Sequence, residues 1–494
     1  MPHASGTDLH ATNLDRLIDA LQSRFGSAVA VGHAIREQHS HGEGLPLVGM
    51  PDAVVFPTTT QEVAEIVARC AEFRIPIVPF GAGTSLEGHV AAIAGGISLD
   101  LSKMDAVLSV SVGSMDCRVQ AGIIRHALND ALRDTGLFFP VDPGAHASIG
   151  GMAATRASGT AAVRYGTMRD NVLGLTVVTP SGEIVHTGGR ARKSAAGLDL
   201  TALFVGSEGT LGVITEIQLK LHPLPEAVIA AICQFASLAT AMEAVITGLQ
   251  AAIPFGRVEL LNGVQMQACI AYSHLENLAA LPTLFLEFVG DPQAVVVQSQ
   301  IMQAICQDSG GSAFQIAQRP EDRSRLWKAR HEVYYACMAF RPGRKNMGTD
   351  ACVPISELAA CLAQTEADIA ESGLTAPLVG HVGDGNFHLG IMYDPDDPDE
   401  VRRAEGLARR VGERAIRMGG TCTGEHGIGA HKRGLLELEH GAAMSLMRSV
   451  KQAIDPLGIM NPGKMLPATT AWRTTRAHLR TEGETEECPM QVTI

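Results

Sequence analysis

The feature that most constrains the fold is a strand–helix–strand unit that runs into a glycine loop. Ala53-Val54-Val55-Phe56-Pro57 reads as a strand. A helix follows from Thr60, the expected N-cap, with an apolar stripe through Val63, Ile66, Val67 and Cys70. Ile75 to Phe80 is a second strand, so parallel pairing with a right-handed crossover is expected. The loop is Pro79-Phe80-Gly81-Ala82-Gly83-Thr84-Ser85-Leu86-Glu87-Gly88. Its backbone N–H groups can cradle a phosphate, or it can be a plain turn. Leu86 stands where the third glycine of a nicotinamide-binding fingerprint belongs. Behind it, Gly95 to Leu101 reads as another strand rather than a helix, so a Rossmann site is disfavoured.

More glycine-rich text follows. Asp142-Pro143-Gly144-Ala145-His146-Ala147-Ser148-Ile149-Gly150-Gly151 runs into Ala157-Ser158-Gly159 and Arg164-Tyr165-Gly166. Residues this small suit a backbone surface laid against a large flat ligand, or else an active-site lid or structural bend. Val172–Pro180 and Glu183–Thr187 read as a hairpin turning at Ser181-Gly182, and Gly206-Ser207-Glu208-Gly209-Thr210-Leu211-Gly212-Val213-Ile214-Thr215 leads into a further strand. Pro223-Leu224-Pro225 marks a domain boundary. Beyond it the glycine loops thin out, and strands at 227–235, 257–261 and 284–289 with helices at 239–250 and 294–308 suggest an α+β domain on an antiparallel sheet. Helices are also expected over 14–25, 401–418 and 442–454.

The second domain carries its own chemistry. In Gly380-His381-Val382-Gly383-Asp384-Gly385-Asn386-Phe387-His388 two histidines bracket a turn. If the turn is a hairpin, His381 and His388 face each other and can share a Zn or Mn ion. A third ligand is expected in Gly424-Glu425-His426-Gly427-Ile428-Gly429. The alternative is that these are surface loop histidines among the 18 in the chain.

A chain of 494 residues is too long for one core and calls for two or three domains. The net charge of −13 argues against nucleic acid and anionic membrane surfaces as main partners. The ten cysteines form no C-x-x-C, which points to a reducing compartment. Met1 to Asp15 resembles neither a signal nor a transit peptide, so a cytoplasmic location is expected, with peripheral contact at the inner membrane left open.

The three glycine-rich segments together resemble the FAD-binding domain of the vanillyl-alcohol oxidase/p-cresol methylhydroxylase superfamily. His381–His388, Gly420–Gly429 and Asn461-Pro462-Gly463-Lys464 resemble its FAD-linked D-2-hydroxyacid dehydrogenase branch. Leu326–Glu332 and Thr349–Ser356 are most similar to the D-lactate dehydrogenase type, near the glycolate oxidase flavin subunit. The resemblance implies an α+β protein. With the helical spacing near the N-terminus, the proline boundary and the polar composition after Pro467, the expected parts are an N-terminal helical segment (1–50), a two-part FAD-binding domain (51–225), an antiparallel cap domain (226–420), a segment returning to the FAD domain (421–466) and a disordered tail (467–494).

It also implies roles. Phe80, Gly81, Ala82, Gly83, Thr84 and Ser85 would wrap the pyrophosphate of non-covalent FAD. Pro143, Gly144, Ser148, Gly151, Ser158, Gly159 and Gly166 would line the flavin and ribityl chain. Glu208, Gly212, Val213 and Ile214 would lie near the adenine, and Asn461 would close over the isoalloxazine. His381, His388 and Glu425 would bind a divalent metal. Arg330 would hold the substrate carboxylate, unless it makes a structural ion pair. Asn386 would position substrate or flavin. His426 would be the base, unless Glu425 and His426 exchange roles. Gly348-Thr349 replace the basic residue of the D-2-hydroxyglutarate branch, favouring a monocarboxylate such as D-lactate, although Arg344 and Lys345 lie close by. The expected electron acceptor is a cytochrome, a quinone or an electron-transfer flavoprotein. A homodimer is compatible with the sequence. A metal-dependent hydrolase and a non-catalytic flavin subunit are the competing readings.

Overall fold

Thr59, one residue before the expected cap, starts the first crossover helix. Its side chain accepts from the Glu62 N–H, while the Thr60 hydroxyl turns inward and donates to Thr215 Oγ1 at 3.0 Å. The helix runs Thr60–Phe73 and buries the expected stripe. The molecule is described here by a computed structural model covering residues 6–466 apart from 45, 46, 48 and 318. The expected tail, 467–494, lies outside the described residues.

The strands Ala53–Val55 and Ile77–Phe80 are parallel, but they do not touch. Ile97–Asp100 inserts between them and pairs parallel with both, and Val29–Ala30 closes the far edge. The next sheet is antiparallel, in the order Val107–Ser111, Asp116–Gln120, Val213–Lys220, Val172–Val178, Ile184–Gly188. Both sheets and the Thr60–Phe73 helix bury one common core, in which Ile66 and Val67 join Leu99, Val177 and Ile217.

The second half is an antiparallel sheet in the order Ser312–Ala317, Ala227–Gln234, Thr283–Gly290, Phe255–Leu261, Leu378–His381, Asn386–Tyr393, Lys345–Gly348. Alternation decides its two faces. One packs on helices that include Leu238–Gln250, Ile355–Ser372 and Pro398–Arg417. The other packs on Gly263–Ser273, Pro320–His331 and Val333–Phe340 through Met266, Trp327 and Ala336.

Both ends of the described chain close on the first half. Glu43 N donates to Gly83 O at 3.2 Å, so the N-terminal segment lies against the glycine loop. Ile77 N donates to Ile459 O and Asn461 N to Ile77 O, each at 2.8 Å, so the C-terminal segment adds to the edge of the parallel sheet. No helix among the described residues is long and apolar enough to cross a membrane.

Candidate active site

The 381–388 turn is a hairpin, but the two histidines are not directly opposite. His381 pairs with Asn386, and His388 pairs with Val379. Because side chains alternate, His381, Asn386 and His388 share one face, with the histidines diagonal to each other. Their rings stand 5.3 Å apart at 77°. Glu425 arrives from the 424–429 loop, and its Oε1 lies 3.2 Å from His381 Nε2 and 3.3 Å from His388 Nε2. One ligand atom from each of His381, His388 and Glu425 lies within 4.8 Å of the others.

The second nitrogen of each ring is committed elsewhere. His381 Nδ1 donates to Glu259 Oε1 at 2.7 Å, and His388 Nδ1 donates to the Thr349 carbonyl at 3.1 Å. In their neutral forms both rings would aim an Nε2 lone pair at the Glu425 carboxylate. Three acceptors converging on one point need a positive charge between them. A proton on His381 meets that need: burial opposes its charge, but Glu259 and Glu425 push its pKa up to about 10. A divalent cation meets it equally well. Among the described residues Glu425 Oε2 is buried without a hydrogen-bond partner, which leaves an oxygen for such an ion.

Asp350 fixes the Glu425 loop. Its Oδ2 accepts from the backbone N–H groups of Glu425 and His426, both at 2.9 Å, and from Thr423 Oγ1 at 2.7 Å. Burial opposes the Asp350 charge, but His426, Lys432 and these donors hold its carboxyl well below the usual range. Asn386 does not reach the cavity. Its amide donates to Asp350 Oδ1 at 2.8 Å and to the Ala351 carbonyl at 2.9 Å, so it braces Asp350 instead. The His426 ring stacks on His388 at 5.0 Å, and its Nδ1 lies 3.8 Å from Glu87 Oε1.

Arg330 has both features that the sequence left as alternatives. It makes a buried ion pair with Glu259, with Nε donating to Oε2 at 2.8 Å and Nη2 to the same carboxylate. It also lines the same cavity as the histidine cluster.

That cavity has a volume of about 1150 Å³ and runs between the two halves. Phe80 to Ser85, Pro143, Gly144, Ser148, Gly151, Ser158, Gly159, Glu208, Gly212, Ile214 and Asn461 line its first half. Gly166 and Val213 do not line it: Gly166 caps the short Ala162–Tyr165 helix, and the Val213 side chain is in the core. Glu208 and Asn461 are neighbours, since Asn461 Nδ2 donates to the Glu208 carbonyl at 2.8 Å. An extended dinucleotide cannot offer its adenine to one and its isoalloxazine to the other. The Glu208 carboxylate instead accepts from the N–H groups of Ile428 and Gly429, at 2.7 and 2.8 Å, and ties the two halves together.

Sequence reasoning missed Glu259, because it weighed only the loops. The available signal was a lone acid inside the apolar strand Phe255–Leu261, where a buried charge needs partners.

Comparisons with known proteins bear on this geometry. Residues 51–188 match the family model described as FAD binding domain, and residues 224–465 match the model described as FAD linked oxidases, C-terminal domain. A Danio rerio protein named probable D-lactate dehydrogenase, mitochondrial, is 49% identical over 461 residues, covering 92% of this chain and 93% of its own. The chain belongs to the FAD-linked D-lactate dehydrogenase family. An Arabidopsis thaliana member named D-lactate dehydrogenase [cytochrome], mitochondrial, is 48% identical and covers 85% of this chain and 74% of its own. The Bacillus subtilis glycolate oxidase subunit GlcD is 35% identical, covering 84% and 89%. Among solved structures, p-cresol methylhydroxylase shares the fold at a TM-score of 0.75 and 17% identity, covering 92% of this chain and 97% of its own.

As a member of the FAD-linked D-lactate dehydrogenase family, the chain is an oxidoreductase. Its glycine loops gain the role that a hydrolase left unexplained. Glycine backbone and small side chains make up the lining of the first half, which suits a large flat cofactor such as FAD. A Cβ at Gly159 would meet the Asp142 carbonyl at 1.8 Å, and one at Gly81 would meet Ser148 Oγ at 2.3 Å, so both wall segments run too close for side chains. Among the described residues, Ser85 Oγ and Thr160 Oγ1 are buried without partners beside the cavity and suit a polar cofactor.

Proposed function

We propose that this chain oxidises a D-2-hydroxyacid, D-lactate or a longer monocarboxylate, to the 2-oxoacid, using FAD and a divalent ion. One observation carries the reading: Arg330 and the His381, His388 and Glu425 cluster line one cavity together with the glycine cradle. Bound FAD supplies a hydride acceptor at N5, and a bound Zn or Mn ion supplies a Lewis acid for the substrate hydroxyl.

The remaining work belongs to side chains. Arg330 Nη1 has no partner among the described residues, because Glu259 takes Nε and Nη2, and it is free to pair with the substrate carboxylate. His426 takes the hydroxyl proton. Burial resists its charge, but Asp350 and Glu87 favour the protonated ring, which strengthens it as an acceptor. Asp350 and Asn386 keep the His426 and Glu425 loop in position. Electrons then pass to a carrier other than NAD, such as a cytochrome, a quinone or an electron-transfer flavoprotein.

One observation favours a second reading, a dicarboxylate substrate. Lys345 lines the cavity and has no ion pair among the described residues. Arg344 is already paired with Glu400 and Asp394.

The test is the visible absorption spectrum of the purified protein under anaerobic conditions. Bleaching of the flavin band by D-lactate and not by L-lactate is expected, as is loss of bleaching after chelation with the flavin band retained. A flavin band that no D-2-hydroxyacid bleaches overturns the substrate assignment.

A further inference from the structure

We propose that Glu259 is a positioning residue that sets both the proton on His381 and the fork of Arg330, making the metal cluster and the carboxylate-binding arginine one unit. The inference rests on the metal-assisted reading above and deepens it.

Glu259 has no exposed side-chain surface, and each of its oxygens has a separate task. Oε1 accepts from His381 Nδ1, and Oε2 accepts from Arg330 Nε. A carboxylate offers only acceptors here, so His381 must carry its proton on Nδ1, which leaves the Nε2 lone pair for a cation. The same carboxylate takes one edge of the Arg330 guanidinium and thereby turns the remaining Nη1 to the substrate.

The backbone makes this bridge rigid. Leu260 pairs with Gly380 and Leu261 with Val379, and continuing that register by one sets Glu259 opposite His381. On its other side Glu259 pairs with Phe285, so it sits in the sheet interior. Arg330 comes from the last turn of the Pro320–His331 helix, which packs on that sheet face. Stability does not account for such an arrangement, because buried ion pairs are often replaceable by apolar residues without loss. Orientation of a ligand histidine does account for it, and outer partners of this kind change metal affinity by about 10–100-fold.

The test compares wild type with E259Q and E259D as full-length, FAD-reconstituted protein. Mn²⁺ affinity is read by calorimetry and Co²⁺ binding by visible absorption. An amide has one acceptor and one donor end, so Gln cannot serve both His381 and Arg330. E259Q is expected to bind Mn²⁺ about 10–100-fold more weakly, with a shifted Co²⁺ spectrum and a raised KM for D-lactate. E259D keeps the charge beside Arg330, but its shorter reach loosens His381, so at least a severalfold loss of Mn²⁺ affinity is expected. Wild-type affinity in both variants overturns the proposal, as does wild-type affinity in E259D alone when E259Q does not fold. Wild type that binds neither ion removes the metal-assisted reading itself and this inference with it.

Discussion

Asp350 Oδ2 and the His426 backbone N–H lie 2.9 Å apart, and that bond orders the loop carrying both Glu425 and His426. Asp350→Ala strands buried donors from Thr423, Glu425, His426 and Asn386. We expect a loss of about 3–5 kcal/mol in urea-induced unfolding. Asp350→Asn keeps the shape but presents an amide donor to some of these groups. It should fold, retain flavin, and lose D-lactate-dependent bleaching; unchanged bleaching in that variant would contradict the role given to Asp350.

Gly348 pairs with Gly390, and a Cβ at Gly348 meets no atom of the described residues within 4 Å. Alternation puts both glycines on the face of His388, and both line the cavity. Gly348 thus leaves open space near the proposed metal ligands, whereas the Asn346 side chain already covers Gly390. Gly348→Val should fill that space without disturbing the sheet. D-lactate turnover is expected to stay within about threefold, while kcat/KM for a branched six-carbon D-2-hydroxyacid falls about 10–100-fold. Steady-state kinetics on the two substrates decide it.

Gly159 has a φ of +142, and its Cβ would press on the Asp142 carbonyl. Gly159→Ala must shift the backbone between the 142–144 and 157–160 segments, both of which line the cavity. The variant should purify with much less bound flavin, and its 450 nm to 280 nm absorbance ratio measures this directly.

His222 gives a pH dependence. Its Nε2 donates to Asn171 Oδ1 at 2.9 Å, and burial, aided by Lys220 and Arg192, pushes its pKa down to about 4 from an ordinary 6.5. The unfolded chain takes up a proton below pH 6.5 that the folded chain refuses until about pH 4. This residue's contribution is therefore fully present above pH 6.5, is lost as pH falls toward 4, and levels off below that. His222→Gln should show a smaller drop in Tm between pH 7 and pH 5 than wild type.

Local pattern made much of this legible. The stripe Val63, Ile66, Val67, Cys70 gave a helix with the right buried face, because periodicity records one surface. The cap was displaced by one residue because Thr59 and Thr60 are equally good caps alone, and only the contact with Thr215, 155 residues away, turns Thr60 inward. The hairpin was visible in its glycines, but the diagonal relation of its histidines depends on register, which places Asn386 opposite His381. Glu259 and Asp350 take their meaning from partners tens of residues away, and no spacing rule connects them. The insertion of Ile97–Asp100 between two parallel strands is likewise a choice of topology that leaves no mark on either strand.

The C-terminal return has a consequence for biosynthesis. Asn461, which hydrogen-bonds the His89 and Glu208 carbonyls, is among the last of the described residues to leave the ribosome. Until then the first half lacks one wall of its cavity and one edge of its parallel sheet. The first half can begin to fold while the second is still being translated. Chains truncated before Asn461 are therefore expected to hold flavin more weakly than the full-length protein.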